Sequence, residues 1–304
     1  MRVSSLYLYN AMASQMGINS TQMGKLMEQL STQKRVNVPS DDPVTASRLV
    51  QLNREQSAIK QYQSNITRLS GALSVQESHI TALSNQVLSV SDKLKLANNS
   101  SLSQKDLAGY GAELGSMLDS LVATMNSKNE NGSYLFSGTM TDSKTVTLDD
   151  NGQYVFGGNE KTRETTVANG VSITENTNIS HAFSSAGNDL DMLNKLKALS
   201  EKMQDPNASY ADYKDDLSAM IDMTQSTSDS LGALFTDLGG RQNRLTLIND
   251  AHTDVSLSNG QLETDLNEAP VAESYTKLQL YNTSIQISYK AYSMVSNLNL
   301  FSML

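Results

Sequence analysis

Residues 51–97 read QLNREQSAIKQYQSNITRLSGALSVQESHITALSNQVLSVSDKLKLA, and their spacing decides the fold. Leu52, Ile59, Ile66, Leu73, Ile80, Val87 and Leu94 recur every seven residues without a polar lapse, with Tyr62, Leu69, Leu83, Val90 and Ala97 as companions. Apolar residues at 3,4 spacing fall on one face of a helix, and a heptad kept this long predicts a helix lying alongside others. Upstream, Pro39 breaks the pattern between Asn37 and Asp42. Asp42 is a good N-cap and Pro43 suits the first helical position, so the helix is predicted to start there. Downstream, residues 98–104 (NNSSLSQ) read as a turn.

The same spacing continues in both directions. At the start of the chain, Leu6, Tyr9, Ala13, Met16, Ser20, Met23, Met27 and Leu30 predict one sparsely charged helix. A third helix follows on Leu107, Tyr110, Leu114, Leu118, Leu121 and Met125 and is predicted to end near Asn131-Gly132. From Tyr134 to about Phe183 the period becomes two, around Asn151-Gly152 and Asn169-Gly170 turns, which predicts a small β insert. Val146 and Leu148 should pair with Tyr154 and Phe156, and Val167 with Val171 or Ile173. Helix resumes near Asp189, and a long helical pattern runs from Tyr210 to Ala269, interrupted by Thr224, Thr227, Arg241, His252 and Asn259.

After Pro270 the last helix carries two apolar stripes. One is Val271, Leu278, Tyr281, Ile285, Tyr292 and Val295; the other is Leu280, Ile287, Ala291, Met294, Leu298 and Phe301. Two stripes predict two packing partners. Residues 274–304 hold only Lys277 and Lys290 as charges, too few for a helix facing water. The two chain ends are therefore expected to pair with each other and then with copies of themselves. An apolar side chain at every third or fourth position contributes about 2 kcal/mol, whereas ordering each residue costs about 1–2 kcal/mol. A lone terminal pair is thus expected to be mobile in the free subunit and ordered in a polymer.

Composition excludes several functions. The 304 residues carry a net charge of -9, 38% apolar and 18% charged residues, no Cys and no Trp. Nucleic acid is not an expected partner, because neutralising phosphate needs clustered Lys and Arg. No run approaches the roughly 18 apolar residues of a membrane span, and Met1 to Asn10 lack a small-residue cleavage site, so neither a membrane partner nor a cleaved leader is expected. Without Cys, disulfides and thiolate chemistry are excluded.

Candidate chemistry is sparse. Asp41-Asp42 could serve as a carboxylate pair, but before Pro43 they read as helix caps. Arg35 could bridge to Asp41, to Asp42 or to a neighbouring subunit, or stay solvated. His79, His181 and His252 are far apart and lack partners at ligand spacing. Asp149-Asp150-Asn151-Gly152 lacks the oxygen spacing and closing Glu of a calcium loop and reads as a hairpin turn. Met12, Met16, Met23 and Met27 suit either a core or an adaptable groove. No catalytic constellation, metal site or cofactor site is expected, and the chain is not expected to be an enzyme.

Three segments carry a resemblance. Leu30 to Asn37 (LSTQKRVN), followed by Pro39-Ser40-Asp41-Asp42-Pro43, resembles the N-terminal signature of the flagellin superfamily, in the variant of its hook-associated members. Residues 131–139 (NGSYLFSGT) resemble that family's entry into its β domain, and 238–245 (LGGRQNRL), with Arg241, Asn243 and Arg244, its C-terminal helical motif. Gln33 stands where the family usually has Gly. The acidic segment common before a flagellin's last helix is replaced by Asn267-Glu268-Ala269-Pro270, which weighs against the bulk filament subunit.

The resemblance implies a mainly α fold with a small β insert, in which the N- and C-terminal segments form a long antiparallel helical bundle. Residues 1–42 and 262–304 would form a terminal coiled-coil assembly domain, 43–139 and 184–261 a helical rod domain, and 140–183 a small β domain exposed on the outside. Function would be mechanical: a secreted structural subunit of the bacterial flagellum at the junction of hook and filament. Its expected assembly interface comprises Leu6, Tyr9, Ala13, Met16, Met23, Met27, Leu30, Leu278, Tyr281, Ile285, Ile287, Tyr292, Met294, Val295, Leu298 and Phe301. Expected partners are its own copies in a ring-like helical layer, another hook-associated protein on the hook side, flagellin on the filament side and a flagellar export chaperone. Export unfolded through the flagellar type III apparatus to an extracellular place is also implied. A filament flagellin, a surface polymer with an enzymatic β insert, and a coiled-coil export chaperone or effector are the alternatives.

Overall fold

The computed structural model describes the backbone of residues 2–99, 102–184 and 190–301, and the side chains of 7–99, 102–184 and 190–294. Its elements, in chain order, are α1 (Arg2–Thr32), α2 (Pro43–Ala97), α3 (Gln104–Met125), β1 (Val146–Leu148), β2 (Tyr154–Phe156), β3 (Glu164–Ala168), β4 (Val171–Thr174), α4 (Ser180–Phe183), α5 (Asp191–Gln204), α6 (Tyr210–Asn267) and α7 (Val271–Phe301). The chain is therefore mainly helical with two short hairpins. It divides into two compact units, 1–59 with 253–304, and 60–252.

The second unit holds the main core. The heptad positions Ile66, Leu73, Ile80, Val87 and Leu94 of α2 are all buried, as are Leu107, Leu114, Leu118, Leu121 and Met125 of α3 and Leu217, Met220, Leu231, Leu238 and Leu245 of α6. Thr224 and Thr227 sit in the same stripe and are buried too. The Thr224 hydroxyl donates to the Ile221 carbonyl at 2.7 Å, so its polar group is satisfied within the helix. α3 begins on Ser103, which accepts from the Asp106 amide in a reciprocal capping box. It ends at Met125, earlier than the expected Asn131-Gly132, because the chain then turns. The Asn129 side chain accepts from the amides of Asn131 and Ser133.

The first hairpin has the expected register, Val146 opposite Phe156 and Leu148 opposite Tyr154. Asp149 organises its turn by accepting from the amides of Gln153 and Asn151, which, Gln153 foremost, hold its carboxyl below the usual range. The second hairpin corrects the sequence reading. Ile173 faces Thr165 and Val171 faces Ala168, while Val167 is the extra residue of a β-bulge and faces neither. The bulge lets buried Val167 turn into the core while its carbonyl meets the His252 ring at 2.8 Å. Arg241 of α6 donates to the carbonyls of Thr174, the last residue of β4, and Asn176, two residues on, and pairs with Asp237.

α5 packs closely on α3. A methyl group at Gly111 would lie 2.9 Å from the Met203 Cβ and 3.0 Å from the Ser200 carbonyl oxygen, and the Ser200 hydroxyl donates to the Gly111 carbonyl at 2.8 Å. Gly109, two residues earlier on the opposite side of the helix, meets nothing within 4 Å. Gly111→Ala should therefore destabilise the second unit by about 1–3 kcal/mol through overpacking. Gly109→Ala should stabilise it by up to about 1 kcal/mol through helix propensity. Urea unfolding of the two variants checks this opposition of sign.

Candidate assembly interface

In the first unit α1 and α7 lie antiparallel. The Tyr292 hydroxyl donates to that of Tyr9 at 2.7 Å, Asn19 reaches Ser284, and Lys34 forms a β-bridge with Glu268. The Tyr9 bond raises the Tyr292 hydroxyl above the usual tyrosine range. Along α1 the side turned to α7 is Tyr9, Met12, Met16, Asn19, Met23, Leu26 and Leu30, a regular 3,4 seam. Ala13 and Met27 are exposed instead, because the helix is turned so that 12, 19 and 26 pack in place of 13, 20 and 27.

α7 shows its two stripes differently. Leu278, Tyr281, Ile285 and Tyr292 are half-buried on the side of α1, with serines 274, 284 and 288 filling the gaps. Leu280, Ile287 and Met294 remain 68%, 63% and 64% exposed. Leu6, Val295, Leu298 and Phe301 lie outside the residues whose side chains are described. Asn19, Ser274 and Ser284 were not singled out in the sequence, since polar residues at seam positions resemble lapses in an apolar pattern.

At the base of the pair the chain makes a strap between α1 and α2. α1 stops at Thr32 because Gln33 adopts a left-handed conformation, φ +57°, at the position where the resembling family usually has Gly. The backbone then pairs with the α6–α7 connection. The Ala269 amide donates to the Gln33 carbonyl at 3.0 Å, the Arg35 amide to the Asn267 carbonyl at 2.6 Å, and the Val36 amide to the Asn267 side chain at 3.0 Å.

Arg35 links three groups. Its Nε and Nη2 donate to the Leu266 carbonyl at 3.1 and 2.9 Å, Nη1 to Asp42 Oδ2 at 3.1 Å, and Nη2 to the Thr45 hydroxyl at 2.9 Å. One guanidinium thus joins an orphan carbonyl at the end of α6 to the cap of α2. Asp42 is that cap, accepting from the Thr45 amide at 3.1 Å, with Pro43 in the first helical position. The Thr45 hydroxyl and amide, then Arg35, hold the Asp42 carboxyl below the usual range. Asp41 is lowered as well, chiefly by the Val38 amide, with Asn37 and Lys25 assisting.

The other motif residues lie in the second unit. Arg241 binds the end of β4 as described, whereas Asn243 and Arg244 are exposed on α6. The histidines have separate surroundings: His79 meets the edge of Phe136, His181 pairs with Glu160, and His252 stacks on Tyr62. Among the described residues, no group of three His, Cys, Asp or Glu is placed to hold a metal ion.

Comparison with known proteins agrees with this architecture. Residues 3–141 match the family described as bacterial flagellin N-terminal helical region. The chain is 27% identical over 320 residues to flagellar hook-associated protein 3 of Escherichia coli K12, covering 100% of this chain and 99% of that protein. A solved structure of a Vibrio parahaemolyticus protein assigned as flagellar hook-associated is 34% identical, with a TM-score of 0.69 over 75% of this chain and 100% of that one. Flagellar hook-associated protein 3 of Legionella pneumophila, at 16% identity, shares the fold, with a TM-score of 0.63 over 71% and 98% of the two chains.

Two changes test the base. Gln33→Gly removes the left-handed penalty and should stabilise the first unit by about 0.5–1 kcal/mol in urea unfolding. Arg35→Ala should speed amide exchange across residues 33–45 by roughly tenfold, and Arg35→Lys should rescue only in part, because one ammonium cannot serve three acceptors. Acid should act in the same place. Carboxyls lowered in the folded state stabilise it fully above the ordinary carboxylate range, and that contribution is lost as pH falls through the lowered values. Exchange protection of the strap should therefore decline below about pH 4.

Proposed function

The chain belongs to the flagellar hook-associated proteins of the flagellin superfamily, and we infer that it is the structural subunit joining hook to filament. It is a component of the bacterial flagellum that associates with hook and filament parts. The finer reading is that it forms a ring-like layer of its own copies, with another hook-associated protein below and flagellin above. It would reach that extracellular place through the flagellar type III apparatus, held beforehand by an export chaperone. Its action is packing and not catalysis.

One observation carries this reading: the outward stripe of Leu280, Ile287 and Met294 on a helix whose other side already lies on α1. Three exposed apolar side chains at seven-residue intervals beside so few charges suit burial against other subunits. Residues 1–42 and 262–304 would make those contacts, 43–139 and 184–261 would serve as the rod, and 140–183 would face outward.

Deleting the gene should leave cells that build hooks yet shed flagellin into the medium. A plasmid copy should restore filaments, whereas one carrying Leu280→Asp, Ile287→Asp and Met294→Asp should not, although the purified variant keeps the unfolding transition of its second unit. Filaments retained in the deletion strain would contradict the junction role. Purified subunits growing long filaments unaided would favour a filament flagellin instead.

A further inference from the structure

The sequence of α1 supports two seams at once. Tyr9, Met16, Met23 and Leu30 are common to both, and the companions are either Met12, Asn19 and Leu26 or Ala13, Ser20 and Met27. At 100° per residue, exchanging one set for the other turns the helix about its own axis by about 50°. Each set contains two apolar residues and one polar one, so periodicity does not discriminate between them, although Leu26 offers the first set more apolar surface to bury than Ala13 offers the second. The structure has nevertheless taken one: Met12 and Leu26 are half-buried, whereas Ala13, Ser20 and Met27 are exposed, Met27 to 53%.

At the centre of the chosen seam stands Asn19, only 4% exposed and the one buried side chain among the described side chains of α1. Its Nδ2 donates to the Ser284 hydroxyl of α7 at 3.2 Å, and its Oδ1 accepts from Gln15 Nε2 at 3.1 Å. A buried amide is tolerated only with partners, and a single polar pair in an apolar helix interface is an established way to fix one arrangement at some cost in stability. Turning α1 to the other seam carries Asn19 away from Ser284 and puts the shorter Ser20 at its level. We propose that the Asn19-Ser284 hydrogen bond is the specificity determinant of the terminal pair: it selects which side of α1 packs on α7, and therefore which apolar side chains point outward. The facing follows from α1 and α7 themselves. That the outward side then meets other copies rests on the proposed function, and the test below reads only the facing.

Two methionines report the choice, since Met12 belongs to one seam alone and Met27 to the other. Peroxide oxidation of the full chain is followed by peptide mass mapping, in an osmolyte such as trimethylamine N-oxide that favours the docked pair. In the unchanged protein Met27 should oxidise roughly threefold or more faster than Met12. Ser284→Leu should abolish or invert that order, because Asn19 loses its acceptor. Asn19→Leu combined with Ser284→Leu should restore it, with an apolar pair replacing the polar one on the same side. Circular dichroism of each variant should retain the helical signal. Equal rates in the unchanged protein, an unaltered order in Ser284→Leu, or failure of the double substitution to restore it would each overturn the proposal.

Discussion

The structure depends on a shortage of partners for apolar surface at the two ends of the chain. α1 and α7 carry so few charges that each needs cover along much of its circumference, and among the described residues their main partner is each other. One side of α7 lies on α1, and the opposite row of Leu280, Ile287 and Met294 is left to solvent. Hydrophobic burial is non-directional and scales with area, so an uncovered row of this length is a standing drive toward association.

The base of the terminal pair shows how such ends can be held in place without a large core. Three backbone and side-chain bonds join residues 33–36 to 267–269, and the Arg35 guanidinium adds bonds to the end of α6 and the cap of α2. These contacts are polar, partly exposed and local. They define where α1 ends and α7 begins. The left-handed Gln33 adds strain at the same point, which keeps the base from being as stable as a glycine would make it.

Much of this was legible in the sequence. The heptads of α2 and the cap at Asp42 located its start at Pro43, and the Asn-Gly pairs located both hairpins, because these signals act over a few residues. What escaped depended on contacts distant in sequence. The bulge at Val167 follows from its burial and from His252, and the early end of α3 from the side chain of Asn126, which exchanges bonds with the Val146 backbone 20 residues on. The seam of α1 could not be chosen from periodicity alone, since 12, 19 and 26 fit a 3,4 spacing as well as 13, 20 and 27 do. A hydrogen bond to Ser284, 265 residues away, distinguishes them. The three-acceptor role of Arg35 was likewise hidden, because one of its acceptors is a backbone carbonyl that no residue type advertises.

Hydrogen exchange with mass spectrometry, on free subunits and on hook-filament junctions isolated from cells, tests the shortage most directly. Peptides from α1 and α7 should exchange rapidly in the free subunit while the α2, α3 and α6 core of the second unit stays protected, and they should become protected in the junction. Strong protection of both terminal helices in the free subunit, unchanged on assembly, would contradict it.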